Sequence, residues 1–389
     1  MPASSHAQSA PDRAVARLVL PVVVPVAQTS DASTQPAAAP ADQPDAPAPA
    51  PPPGWPGGLR MYGTVDTYYA YNFNEPGSGT NVLRNFDEQD NQFSMSYAEI
   101  AVEQAPTTDR RVGFRADFGF GPTATWIDSV DPNGGELRYV QQAYVSVLTP
   151  VGRGLQIDAG KFVTPIGAEP IETFGNWNYS RSLLFSWAAP YYHAGVRASL
   201  PISDTVSVSG FLLNGWNNAE DNNRAKTVAA QVTWKPTSSL SVLQAYMGGR
   251  EGPQGSDGVR HLFDTVATWT VTPRLALMTN VDIGRDQIDG QTVAWQGVAA
   301  YGRVMVTPTW AVSPRVEVFE DRDGFATGTA QTLRELTLTS EHILGLGVSL
   351  RLEYRRDWST EDFFEYRADR FRRQQNTLLV GLTYAMSTP

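Results

Sequence analysis

The feature that most constrains this chain is a strict alternation of apolar and polar side chains in runs of about ten residues. In 111–118, Val112, Phe114, Ala116 and Phe118 alternate with Arg111, Gly113, Arg115 and Asp117. In 349–357, Leu350, Leu352 and Tyr354 share one face, while Arg351, Glu353, Arg355 and Asp357 share the other. Leu275, Leu277, Thr279, Val281 and Ile283 alternate with Arg274, Ala276, Met278, Asn280 and Asp282. Leu378, Val380, Leu382, Tyr384 and Met386 lie opposite Thr377, Gly381 and Thr383. Successive Cβ atoms of a strand point to opposite faces, so each run is a strand with one apolar and one hydrophilic face. Runs of this length exceed the usual five or six residues and suit a tilted crossing of a bilayer. A soluble sandwich would seldom line its second face with so many charges. The pattern predicts an all-β fold, a transmembrane antiparallel up-and-down β-barrel with lipid outside and water inside.

Proline sets the punctuation. Ala105-Pro106, Thr149-Pro150, Leu200-Pro201, Lys235-Pro236, Thr272-Pro273 and Thr307-Pro308 each end one alternating run and open the next. Proline presets φ for a turn and lacks the N–H a ladder needs, so it belongs at strand ends. Between these tight turns lie longer polar or Gly-rich stretches at 74–91, 121–136, 163–190, 217–224, 250–259, 285–290, 321–330 and 359–374. Short turns on one side and long loops on the other, with about sixteen strands, predict short periplasmic turns, long extracellular loops and periplasmic termini. Aromatic residues adjoin both sets of connections, as two interfacial girdles would. Two stretches, 241–247 and 292–306, do not reveal which face is outward.

Residues 1–57 read differently from 58–389. Arg13 and Arg17 precede an apolar run, Leu18 to Ala27, in the order of an export segment, although Pro21 and Pro25 interrupt it. From Gln35 to Gly58 the chain is nearly all Ala, Pro, Asp and Gly, which predicts a disordered periplasmic tether ahead of the barrel domain. Nothing approaches the eighteen or more apolar residues of a spanning helix. The chain has no cysteine, which excludes thiol catalysis and thiolate metal sites. Its four histidines are too scattered for a local metal motif, so no metal, cofactor or catalytic residue is assigned. A formal charge of −10 argues against nucleic acid as a partner.

A resemblance enters at Gly160-Lys161-Phe162, Thr164-Pro165-Ile166-Gly167-Ala168-Glu169 and Asn178-Tyr179-Ser180-Arg181-Ser182-Leu183-Leu184-Phe185. It continues through Pro190-Tyr191-Tyr192-His193-Ala194-Gly195-Val196-Arg197 and Asn214-Gly215-Trp216. These blocks resemble the β-barrel porin-2 (OmpL-like) family, and the strand layout matches over about residues 59–386. The resemblance implies a Gram-negative outer-membrane porin whose substrate is unassigned. By the same analogy, loop 163–190, after the fifth strand, folds into the lumen as a constriction with Glu169, Glu172 and Arg181 as its charged contributors.

The inward charges expected to line the pore are Arg111, Arg115, Asp117, Arg138, Arg197, Asp264, Asp282, Arg315, Glu317, Glu335, Arg351, Glu353, Arg355 and Asp357. Rings of charge of both signs can tune ion passage, or such residues can satisfy one another across strands. The leading functional expectation is passive diffusion of small hydrophilic solutes or ions through a water-filled channel. The alternative is a structural scaffold or adhesin barrel without an open pore. Expected partners are outer-membrane lipid and lipopolysaccharide, the solutes themselves and, by analogy with sixteen-stranded porins, two further copies in a homotrimer.

Overall fold

The computed structural model describes residues 57–252, 258–368 and 370–388. The export segment and tether expected over 1–57 lie outside the described residues, apart from Gly57. The first strands are β1 (Leu59–Asn72), β2 (Gln92–Gln104), β3 (Val112–Phe120) and β4 (Val140–Thr149). There follow β5 (Leu155–Val163), β6 (Tyr192–Pro201), β7 (Val206–Leu213) and β8 (Thr227–Thr237). Next come β9 (Leu240–Gly249), β10 (Arg260–Thr272), β11 (Leu275–Ile288) and β12 (Gln291–Thr307). The last are β13 (Trp310–Asp321), β14 (Gln331–Gly345), β15 (Val348–Ser359) and β18 (Gln374–Ser387), with a two-stranded loop hairpin, β16 (Phe364–Glu365) and β17 (Phe371–Arg372), between them. Two short helices, α1 (Pro122–Ser129) and α2 (Leu183–Trp187), lie in loops.

Every strand of the barrel pairs antiparallel with its sequence neighbours, and β18 closes the ring on β1 from Tyr62 opposite Ser387 to Asn72 opposite Thr377. The result is a closed sixteen-stranded barrel, as the alternation predicts. Closure leaves no unpaired edge for lipid to meet. Val112 is 56% exposed and Leu352 45% exposed on the outer surface, whereas Asp117 and Arg351 are buried within. Because side-chain period is two, a one-residue slip would exchange the faces. On β15 that slip would put Arg351 into lipid at about 2–4 kcal/mol near the midplane. The register is thus fixed by the charges.

The prolines sit at the tight connections. The seventh such turn, Leu346-Gly347 between β14 and β15, does without one. The long loop expected at 285–290 is absent. β11 and β12 instead stay paired out to Ile288 opposite Gln291, and the connection is only Asp289-Gly290. Both of these residues have positive φ (51° and 79°), as a two-residue hairpin turn requires. The Asp-Gly pair supplies that turn, and the polar sequence around it belongs to strands that project past their neighbours. The undecided strands also resolve: Leu243, Ala245 and Met247 point inward on β9, as do Trp295, Ala299 and Tyr301 on β12. Their inner faces are apolar because they meet a folded loop rather than open water.

A loop across the barrel lumen

The 28 residues 164–191 between β5 and β6 fold into the barrel. In a ring of sixteen, β13 and β14 stand eight strands away, diametrically opposite β5 and β6. Strands about 4.8 Å apart and tilted about 40° close a ring roughly 32 Å across. An out-and-back loop of this length spans that distance, because fourteen extended residues reach about 46 Å. The contacts show that it does.

On the near side, Thr164 shares a 2.9 Å hydrogen bond with His193, and Gln231 of β8 donates to the carbonyl of Pro165 at 2.6 Å. The Gly167 amide donates to Asp264 of β10 at 2.9 Å. Farther out, the Ser182 hydroxyl caps α2 by accepting from the Phe185 amide, while Glu317 of β13 accepts from the Leu183 amide at 2.8 Å. On the far wall Glu353 of β15 accepts the amides of Tyr179 (2.6 Å) and Ser180 (3.0 Å). Asn178 donates to the Ser313 carbonyl and to Thr339. Asp66 of β1 accepts from the hydroxyls of Tyr179 (2.6 Å) and Thr173. Tyr179 also lies so close to β18 that a Cβ at Gly381 would come within 2.3 Å of its ring.

Three arginines hold the loop backbone. Arg315 donates to the carbonyl of Ser180 at 2.7 Å and pairs with Glu169, Glu317 and Glu335 at 3.0–3.2 Å. Arg351 donates to the carbonyls of Thr173 (2.6 Å) and Asn176 (2.8 Å) while paired with Glu341. Arg355 donates to the Arg181 carbonyl at 2.5 Å and pairs with Asp357. Guanidinium carries five fixed donors, so one side chain can satisfy wall carboxylates and loop carbonyls together. The other side of the loop is greasy. Ile166, Leu183, Leu184, Phe185 and Tyr191 cluster with Leu83 and Phe86 from the β1–β2 loop and with Trp295 and Phe319 from the wall. Water is therefore excluded from the loop's rear, and its exposed residues are Phe174, 42% exposed, and Gly175.

A closed sixteen-stranded barrel with lipid-facing apolar strands and a loop across its lumen is the architecture of an outer-membrane porin. The family described as "Putative beta-barrel porin-2, OmpL-like" matches residues 58–386, nearly the whole described chain. The chain belongs to this family. As an outer-membrane porin it shares its fold with solved structures of low sequence identity. OmpT of Vibrio cholerae, an outer membrane protein in a trimer form, superposes with a TM-score of 0.58 at 14% identity, over 84% of this chain and 99% of the other. The outer membrane channel DcaP of Acinetobacter baumannii gives 0.58 at 9% identity over 84% and 97%, and an anion-selective porin from Comamonas acidovorans 0.57 at 13% over 84% and 99%. No curated protein matches in sequence.

The porin's charged residues divide into three groups. Arg315, Glu317, Arg351, Glu353 and Arg355 point inward, buried, and bond the loop directly, while buried Glu335 and Asp357 hold Arg315 and Arg355, so the set clamps the loop rather than lining open water. Asp264 and Asp282, opposite each other on β10 and β11, are likewise buried, Asp264 by the loop amide it holds. Arg115 and Arg197 keep partial exposure, tied to Asp117 (2.9 Å) and Asp158 (2.7 Å). Two assignments to the wall need correction. Arg138 precedes β4 in a loop and pairs with Asp128 at 3.2 Å, because β4 begins later than the alternation suggests. Arg111 stands just before β3, exposed, and donates to the Leu148 carbonyl.

The loop's own charges part company too. Glu169 and Arg181 are buried as internal scaffolding: Glu169 accepts the Ser182 amide, and Arg181 donates to the carbonyls of Pro170, Ile171 and Tyr179. Glu172 alone stays partly exposed. Sequence reasoning missed Asp66, Asn178, Arg303 and Glu341. Asp66 alternates legibly with Val65 and Thr67, but Arg303 sits on a strand whose two faces look alike.

A second loop braces the first. In the β1–β2 connection, Asn85 donates to the Ser186 carbonyl and to the Tyr191 hydroxyl, and Trp187 donates back to the Leu83 carbonyl. Burial, with Asp87 beside it, pushes the Glu88 carboxyl up to about 7. The fold thus favours neutral Glu88: its contribution is complete below about pH 4.5 and is lost as pH rises through 7. Asp90 shifts in the same direction through desolvation. Amides of residues 79–90 should therefore exchange faster at pH 8 than at pH 5 once intrinsic rates are removed. Glu88→Gln should erase most of that difference, and an unchanged difference would contradict the assignment.

Proposed function

We propose that this porin is a passive, non-catalytic diffusion channel for small hydrophilic solutes or ions, and that the 164–191 loop sets its cross-section. The observation that carries the proposal is the loop's crossing from β5 and β6 to the diametrically opposite wall, with Phe174 and Gly175 as its exposed residues. An unobstructed sixteen-stranded ring would be wide enough for an aqueous pore, and the loop narrows it from one side. The partly exposed cations, Arg115, Arg197 and Arg303, each sit beside a carboxylate, at 2.9, 2.7 and 2.5 Å. Neutral pairs of this kind support weak charge selectivity. The barrel is surrounded by outer-membrane lipid and lipopolysaccharide, and the trimer form of the structurally similar OmpT supports a homotrimer here.

Planar-bilayer recording of the full-length protein tests the reading. Stepwise openings with a small reversal potential in a salt gradient are expected. A sealed, silent barrel would favour the scaffold reading instead.

A further inference from the structure

The lipid-facing surface is not uniform. On β1–β4 its loop-side rim is aromatic, with Tyr69 tilted against Phe93 and Phe120 stacked on Tyr139. The sector β13–β14–β15–β18 differs: Arg334 and Arg356 project outward from β14 and β15, in step with Leu336, Leu338 and Leu352. Neither is paired with an acid among the described residues, and there the exposed side chain of Arg334 makes no hydrogen bond or ion pair. Arg356 lies over the Trp358 ring at 4.7 Å, donates one Nη to Gln374 and leaves its Nε unpartnered. Glu320, an acid of the neighbouring β13, is already engaged by Gln296 at 2.6 Å and Arg322 at 3.4 Å.

Depth follows from the register. Tyr354, Leu378 and Tyr71 form one rung across β15, β18 and β1. Arg356 and Asn376 form the next outward-facing rung toward the loops, and Arg334, Trp358 and Gln374 the one beyond. The arginines thus stand one and two rungs above an aromatic level, where interfacial rings mark the headgroup zone. Two guanidiniums flanking an indole, without a competing carboxylate, complement a phosphate held at that depth.

We propose that this sector binds the phosphorylated headgroup of an outer-leaflet lipid, with Arg334 and Arg356 as its phosphate ligands and Trp358 packing against the lipid's upper chain region. The proposal rests on the outer-membrane porin reading but not on an open pore. The test uses full-length protein in neutral detergent, titrated with diphosphorylated lipid A, with its dephosphorylated form and with inorganic phosphate, and read by native mass spectrometry. Binding of the diphosphorylated lipid, but of neither control, is expected. About 1 kcal/mol per arginine near a charged surface converts to a loss of about thirtyfold in the Arg334→Gln/Arg356→Gln variant. Arg334→Lys/Arg356→Lys should retain most of the affinity, and Arg153→Gln at the opposite rim should bind as wild type. Heat-modifiable migration confirms that each variant is folded, and bilayer conductance, unchanged throughout, separates this test from that of the channel itself. Equal binding of the dephosphorylated lipid, equal loss in Arg153→Gln, or undiminished affinity in the double glutamine variant would overturn the proposal. So would conversion of the double variant from oligomer to monomer without loss of lipid, because the arginines would then be serving a second copy of the chain.

Discussion

Replacing Arg315 with methionine should detach the crossing loop while leaving the barrel closed. Arg315 is wholly buried and is the shared cation of Glu169, Glu317 and Glu335. It also holds the carbonyls of Ser180 and Arg181. Methionine fills much of the same space but leaves Glu317 and Glu335 with Arg355, 3.8 Å from Glu335, and Glu169 with Arg181, as nearby compensation. Removing one partner from a buried ion network costs about 3–5 kcal/mol. The backbone ladder of β13 with β12 and β14 does not depend on that side chain. The cost therefore falls on the element that can move away, and water enters behind it. Amides of 169–183 should exchange faster, and single-channel conductance should rise and become noisier. Heat-modifiable migration should persist. Unchanged exchange and conductance would show that the clamp is not what holds the loop.

The same residue shows how far the sequence could be read. That Arg315 alternates with Val316 and faces inward is local information, and period two supplies it. What covers Arg315 is not local: Glu169 lies 146 residues away, and nothing near either residue announces the other. The strands, the proline turns and the outward sets on β3, β15 and β18 were accordingly legible. The loop's placement came from the resemblance, while the burial of Glu169 and Arg181 beneath it did not. Where β9 and β12 face the loop's apolar side, the inner wall imitates the outer one and alternation fades. Arg303 and Trp295 were hidden for that reason. Asp289-Gly290 shows the converse limit, since polar sequence beyond the bilayer signals a loop even when two strands continue as a ribbon.

If Phe174 meets a hydrophilic lumen while apolar side chains turn to lipid, thiols placed at the two sites must react differently. The chain has no native cysteine, so a single introduced thiol reports its own surroundings without background. Phe174 stands on the 3₁₀ turn Thr173–Gly175, between Thr173, bonded to Asp66, and Asn176, held by Arg351. Leu352 stands on the outer face of β15. The most direct measurement is single-channel current during exposure to a membrane-impermeant, charged methanethiosulfonate. Phe174→Cys should show a stepwise, reductant-reversible fall in conductance, and Leu352→Cys and the wild type none. Full modification of Phe174→Cys without change in current, or block through Leu352→Cys, would contradict the account.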